Sequence, residues 1–134
     1  MHPKGYALHT NPLGGLKQLA TKDPREPFTR ISVNEAKEKL DKGDAVMVDV
    51  REPDEYAEVH ATGVRLIPVN TVIGEVKQIR ELAGDKEVLF ICKSGARSAL
   101  AAEFATAGGL EELPLFNVEG GTTAWVEAGY PTGD

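Results

Sequence analysis

A mainly parallel α/β sheet of about five strands, with helices on both faces and an irregular N-terminal arm ahead of it, is the fold the sequence predicts. Three observations predict it. From Phe28 onward, short β-branched apolar runs alternate with segments of helical length, and a crossover helix is what parallel pairing requires. The two strongest runs, AVMVDV at 45–50 and EVLFI at 87–91, are apolar almost throughout, the mark of strands covered on both faces. Residues 1–27 are punctuated instead by Pro3, Pro12, Pro24 and Pro27 and by Gly5, Gly14 and Gly15.

The elements follow in order. The arm, 1–27, is expected to hold at most one short helical turn around LKQLA, and the folded domain to occupy 28–134. TRIS (29–32) reads as a short strand. Ser32 stands three residues before Glu35, a capping-box spacing that opens a helix over VNEAKEKLD, and Gly43 stops it. AVMVDV is the next strand, EPDEYAEV a short helix entered through Pro53, and VRLIPVN a further strand. VIGEVKQIRELA is amphipathic, with Val72, Val76, Ile79 and Leu82 on one stripe. EVLFI precedes SALAAEFATA, a helix whose alanines let it lie close against a sheet and which Gly108-Gly109 closes. LPLFNVEG gives the last strand and TTAWVEAG a terminal helix. No internal repeat is present.

Composition narrows the function. The 134 residues carry a net charge of −6, so no general basic surface exists for nucleic acid or an anionic membrane. Any anion must be drawn by a local cluster of positive charge. A single cysteine excludes an intramolecular disulfide, and the N-terminal residues lack the apolar core of a signal peptide, so a cytoplasmic location is expected. His2, His9 and His60 have no ligand spacing with each other or with Cys92, so no metal or organic cofactor is expected.

Cys92 is the residue that carries chemistry. It follows EVLFI at a strand's carboxyl end, where ligands of open α/β sheets sit. Behind it come Lys93, Ser94, Gly95, Ala96, Arg97 and Ser98 and then a helix. A helix N-terminus and nearby cations both lower a thiol's pKa, and the thiolate is the nucleophile. Gly95 lets the chain curl so that successive N–H groups converge on one point, an anion cradle centred on the sulfur. A lone cysteine can also be a small buried hydrophobe. Such a cysteine would sit inside VLFI, not after it, with polar and charged residues on its C-terminal side.

These residues also resemble a family. CKSGARS (92–98), DVREPDEY (49–56), HATGVRLIP (60–68) and VEGGTTAWVEAGYP (118–131) occur in the order of a rhodanese, or sulfurtransferase, domain, and the similarity covers roughly 28–131. The resemblance implies that Cys92 carries sulfane sulfur as a persulfide, with Lys93–Ser98 forming the substrate-binding loop around it. The partners implied are a small anionic sulfur donor such as thiosulfate and an external thiol acceptor, because no second cysteine exists to resolve the persulfide. Lys93 and Arg97 would draw the donor.

Two rival readings stand beside this one. A cysteine phosphatase or arsenate reductase uses five residues between cysteine and arginine, whereas only four separate Cys92 from Arg97, a tighter loop suited to one sulfur atom. A non-catalytic module that binds a persulfide or a partner is the other. Supporting roles are expected for Asp49 and Arg51, which fix the turn after their strand, and for His60, read as structural. Where the family often has Gly-His-Ile, this chain has Val59-His60-Ala61. Ser94 and Ser98 either donate to the bound anion or cap the helix. Trp125 is expected in the core with its N–H bonded, and Gly120-Gly121 to bring their loop close to the site. The arm packs on the domain, mediates a homodimer or stays mobile; its composition leaves all three open.

Overall fold

The computed structural model describes the backbone of residues 8–10 and 16–18 and the whole of 20–134. A two-stranded antiparallel hairpin, β1 (Leu8–Thr10) and β2 (Leu16–Gln18), lies in the arm. The helical turn expected around LKQLA is therefore a strand. A single helical turn fixes several residues for one hydrogen bond, whereas pairing with β1 gives the same backbone groups a ladder. His2 lies outside the described residues.

The main sheet has six strands in the order β3-β4-β8-β7-β5-β6. Five are those read from the sequence: β4 (Thr29–Ile31), β5 (Ala45–Asp49), β6 (Arg65–Leu66), β7 (Glu87–Ile91) and β8 (Leu115–Val118), all parallel. The sixth, β3 (Thr21–Lys22), pairs antiparallel with β4 at one edge, so the sheet takes in two residues ahead of Phe28. β6 is shorter than VRLIPVN suggested. Ile67 and Val69 still donate their N–H groups to the Asp49 and Val50 carbonyls at 2.9 Å, but the chain turns after Pro68 into a 3-10 turn over Val69–Thr71.

The helices are α1 (Val33–Asp41), α2 (Pro53–Glu58), α3 (Val76–Ala83), α4 (Ala96–Ala105) and α5 (Gly121–Glu127). The capping box of α1 is present: Glu35 N–H donates to Ser32 Oγ at 3.1 Å and Ser32 N–H to Glu35 Oε1 at 3.0 Å. Alternation along the strands sorts the core into two faces. Val48, Val88, Phe90 and Leu115 pack with Ile79 of α3 and with Ala101, Ala102 and Ala105 of α4. Met47, Leu89, Ile91 and Val118 face the other way, against Val33 and Ala36 of α1 and Trp125 of α5. The Trp125 indole N–H donates to the Pro131 carbonyl at 2.8 Å, so this large side chain is buried without an orphaned donor. Val72 and Ile79 of the expected stripe are fully buried, with Val76 and Leu82 packed at the margin.

Two registers position the site. Asp49 lies opposite Ile91, and Phe90 opposite Asn117, so β5, β7 and β8 end at one edge of the sheet. Cys92 follows the central strand at that edge and continues the face of Val88 and Phe90, towards α4. Among the described residues, no helix is long and apolar enough to cross a membrane.

Candidate active site

The strand-to-helix turn after β7 wraps its backbone around a sulfur atom. Gly95, at φ +123° in a region that side chains disfavour, is the N-cap of α4 and donates its N–H to Cys92 Sγ at 3.0 Å. The Ser94 and Ser98 N–H groups also bond the sulfur, and the Ser98 hydroxyl lies 3.4 Å from it. Burial is the largest single influence on the Cys92 thiol and pushes its pKa up; the Ser98 hydroxyl and the three amides together outweigh it, and the thiol lies below its ordinary value. The direction is that of a nucleophile held towards its ionised form by neutral donors.

A second loop holds the cradle in this orientation. Thr122 donates both its N–H, at 2.8 Å, and its hydroxyl, at 3.0 Å, to the Cys92 carbonyl, and Thr123 N–H reaches the Lys93 carbonyl at 3.2 Å. Because a trans peptide points its C=O and the next N–H in opposite directions, anchoring the Lys93 carbonyl on α5 aims the Ser94 N–H the other way, at the sulfur. Gly121 makes the approach possible: a Cβ there would stand 2.5 Å from the Cys92 oxygen and from the Lys93 carbonyl. The expected closeness of the glycine pair to the site is thus a backbone-to-backbone contact.

The two cations of the loop have different surroundings. Arg97 is paired bidentately with Glu55 of α2, at 2.7 and 2.9 Å, and its charge is matched there. Glu55 is held at a pKa of about 2, first by Arg97 and then by the Glu52 N–H. Lys93 is exposed and has no side-chain partner among the described residues. It borders a surface cleft of about 420 Å³ that is also lined by Arg51, Glu55, Thr122 and Val126. Ala96 is exposed and opens α4. The serines separate too. Ser98 is fully buried and directs its hydroxyl at the site, while exposed Ser94 contributes its backbone, and Gly95 rather than either serine caps the helix.

Asp49 and Arg51 form a buried ion pair at the end of β5, with Arg51 Nη2 donating to Asp49 Oδ2 at 2.8 Å and to the Val59 carbonyl at 2.7 Å. They fix the β5–α2 turn. His60 stacks on Tyr56 with ring centroids 3.7 Å apart, and its nitrogens lie 2.8 Å from the Tyr56 carbonyl and 2.8 Å from Asp134 Oδ1. None of these contacts is with Cys92.

Sequence reasoning passed over Asn117, Glu55 and Thr122. Asn117 had a signal, a buried amide in the middle of the apolar strand LFNV. Glu55 and Thr122 had none beyond their neighbours, because their partners lie 42 and 30 residues away.

Fold and cradle together define a class: a mainly parallel α/β protein with a buried cysteine at the carboxyl edge of its central strand, surrounded by main-chain donors. The rhodanese-like domain matches residues 32–128 of the sequence. The thiosulfate sulfurtransferase GlpE of Pseudoalteromonas translucida (strain TAC 125) is 33% identical over 103 residues, covering 77% of this chain and 92% of that protein. Human single-domain sulfurtransferase TSTD1 superposes with a TM-score of 0.62 at 25% identity, over 73% of this chain and 95% of that one. A Rhodopseudomonas palustris protein of unknown function, described as a possible tyrosine phosphatase, gives a TM-score of 0.67 at 31% identity over 76% and 82%. The chain belongs to the rhodanese-like domain family, and within it to the sulfurtransferase class of enzymes.

Proposed function

We propose that the chain moves sulfane sulfur from a small anionic donor, with thiosulfate the simplest, to an external thiol through a persulfide on Cys92. The observation that carries this reading is the convergence of the Ser94, Gly95 and Ser98 N–H groups and the Ser98 hydroxyl on Cys92 Sγ. In the first step the Cys92 thiolate attacks the outer sulfur of thiosulfate. A new S–S bond forms, the old one breaks, and sulfite leaves with its electron pair. The terminal sulfur keeps a negative charge, and preorganised amides stabilise it at no further reorganisation cost. An acceptor thiolate, or cyanide in an assay, then takes the outer sulfur and returns the thiolate.

Lys93 is the group that recruits the anion, since Arg97 is already matched by Glu55. Cys92 is 1% exposed, so a donor must thread one sulfur atom into the cradle rather than meet an open surface thiol. A terminal sulfur fits that demand better than a tetrahedral phosphate. The loop has four residues between Cys92 and Arg97, and the charge of Arg97 is already matched by Glu55. A cytoplasmic setting, where the thiol stays reduced, belongs to the same proposal.

The test is intact mass after thiosulfate treatment, followed by discharge with cyanide. One added sulfur atom is expected on the wild type, none on Cys92→Ser, and none after iodoacetamide pretreatment. A Cys92 that resists iodoacetamide at neutral pH, or a Cys92→Ser variant that still transfers sulfur, refutes the mechanism. A persulfide that forms but is never discharged selects the non-catalytic module instead.

A further inference from the structure

We propose that Asn117 is a positioning residue that governs the ionisation of Cys92 by competing with its sulfur for the single proton of the Ser98 hydroxyl. Asn117 is fully buried on β8, and its amide is oriented without ambiguity. Nδ2 donates to the Gly95 carbonyl at 3.1 Å and to Glu119 Oε2 at 2.7 Å, two groups that only accept. Oδ1 therefore faces Ser98 and accepts from its hydroxyl. The same Ser98 oxygen lies 3.4 Å from Cys92 Sγ.

A hydroxyl has one proton, and here it has two acceptors. With Cys92 as a thiol, both bonds are satisfied: S–H donates to Ser98 Oγ, and Ser98 O–H donates to Asn117 Oδ1. When the thiol loses its proton to solvent, the sulfur becomes the stronger acceptor. The hydroxyl turns to it, and Asn117 Oδ1 loses its donor at a buried position, a cost that opposes ionisation. Asn117 thus sets how far the Ser98 hydroxyl can favour the thiolate.

The charged groups around the site are Lys93 of the loop, Arg97 of α4 with Glu55 of α2, Asp49 with Arg51 after β5, and Glu119 with Arg30 of β4. α5 bonds the loop through the uncharged Thr122 and Thr123, while Glu127 of α5 and Glu58 of α2 line the cleft beside Lys93. None of these charged groups hydrogen-bonds the sulfur, which leaves the Ser98 proton as the neutral element able to switch.

The inference rests on Cys92 being the nucleophile, and alkylation reads the thiolate whether or not sulfur is transferred, so the two readings fail separately. The experiment is the pH dependence of iodoacetamide alkylation, followed by intact mass in the full chain. Ser98→Ala should move the midpoint to higher pH by about half to one pH unit, the effect of one ordinary hydrogen bond. Asn117→Ala should move it to lower pH by a similar amount, and should have no effect once Ser98 is alanine. A midpoint that is unchanged or higher in Asn117→Ala, or an effect that persists without the Ser98 hydroxyl, overturns the proposal. Should Asn117→Ala fail to fold, the wild type decides: with asparagine side chains labelled with nitrogen-15, the Asn117 amide signal should shift with the Cys92 midpoint. An amide signal indifferent to that midpoint overturns it equally.

Discussion

Two strand-to-helix turns lie side by side at one edge of the sheet, and they treat a buried acceptor in opposite ways. After β5, the Asp49 carboxylate takes the Arg51 N–H at 3.0 Å and then the whole Arg51 guanidinium. After β7, the Cys92 sulfur takes the Gly95 N–H at 3.0 Å, two further amides and a hydroxyl, and no full positive charge bonds it. The strands are in register, Asp49 opposite Ile91, and each turn leads into a helix. A permanent cation consumes its partner's charge and makes a fixed strut. Neutral dipoles stabilise a charge without cancelling its reactivity. The first turn is architecture, and the second is where the proposed function places the chemistry.

The comparison is broken most directly at the sulfur. Cys92→Ser should lower sulfur transfer by about a thousandfold or more while leaving the folded state intact, as loss of a covalent nucleophile does. Steady-state transfer to cyanide alongside thermal unfolding checks both halves.

At the neighbouring turn the same kind of change should affect stability instead. Arg51→Ala leaves Asp49 buried without its cation and should cost about 3–5 kcal/mol, measured by urea unfolding, with transfer per folded molecule largely kept. A cost below about 1 kcal/mol would mean that the ion pair is no strut.

Gly121→Ala sharpens the contrast, because it forces a methyl onto the Cys92 and Lys93 carbonyls and touches no side chain of the site. A displacement of the cradle of that kind should reduce kcat by about a hundredfold with a smaller change in KM.

Lys93→Ala should raise the donor KM several-fold and flatten its salt dependence, the response of an exposed steering charge. Arg97→Ala should act mainly on kcat, since Arg97 ties the loop to α2 through Glu55.

The smallest effect belongs to His60. Both of its partners only accept, so the two bonds together require the protonated ring, and its pKa is raised, first by the Tyr56 carbonyl and then by Asp134. A raised pKa stabilises the fold fully below about pH 6.5, the unfolded value, and the contribution is lost as pH rises through the higher folded value. The melting temperature should therefore decline over that interval in the wild type and less so in His60→Gln.

Much of the fold was legible because its signals are local. The capping box at Ser32 and Glu35, the apolar runs of β5 and β7 and the alanines of α4 each act within one element or against one face. Edge pairing was not legible. β3 is two residues long and exists through β4, and β2 is a strand through β1, so no periodicity marks either. At the site, Cys92, Gly95 and Ser98 share one segment and could be read together. From the sequence Arg97 is expected to draw the donor alongside Lys93, because its partner, Glu55, enters from a helix 42 residues earlier in the chain and leaves no local sign.

By itself the sequence determined the order of strands and helices from Phe28 onward, the thiol at the end of the central strand and the glycine that curls the loop. Periodicity, capping and backbone freedom are properties of neighbouring residues, and the chain carries them wherever it folds. Only the tertiary structure decided which donors meet the sulfur with their protons free. Gly121 presses α5 onto the loop, Glu55 claims Arg97, and Asn117 claims the Ser98 hydroxyl. Hydrogen bonds and ion pairs depend on distance in space, and parallel strands joined by helices bring together residues that lie far apart in the chain.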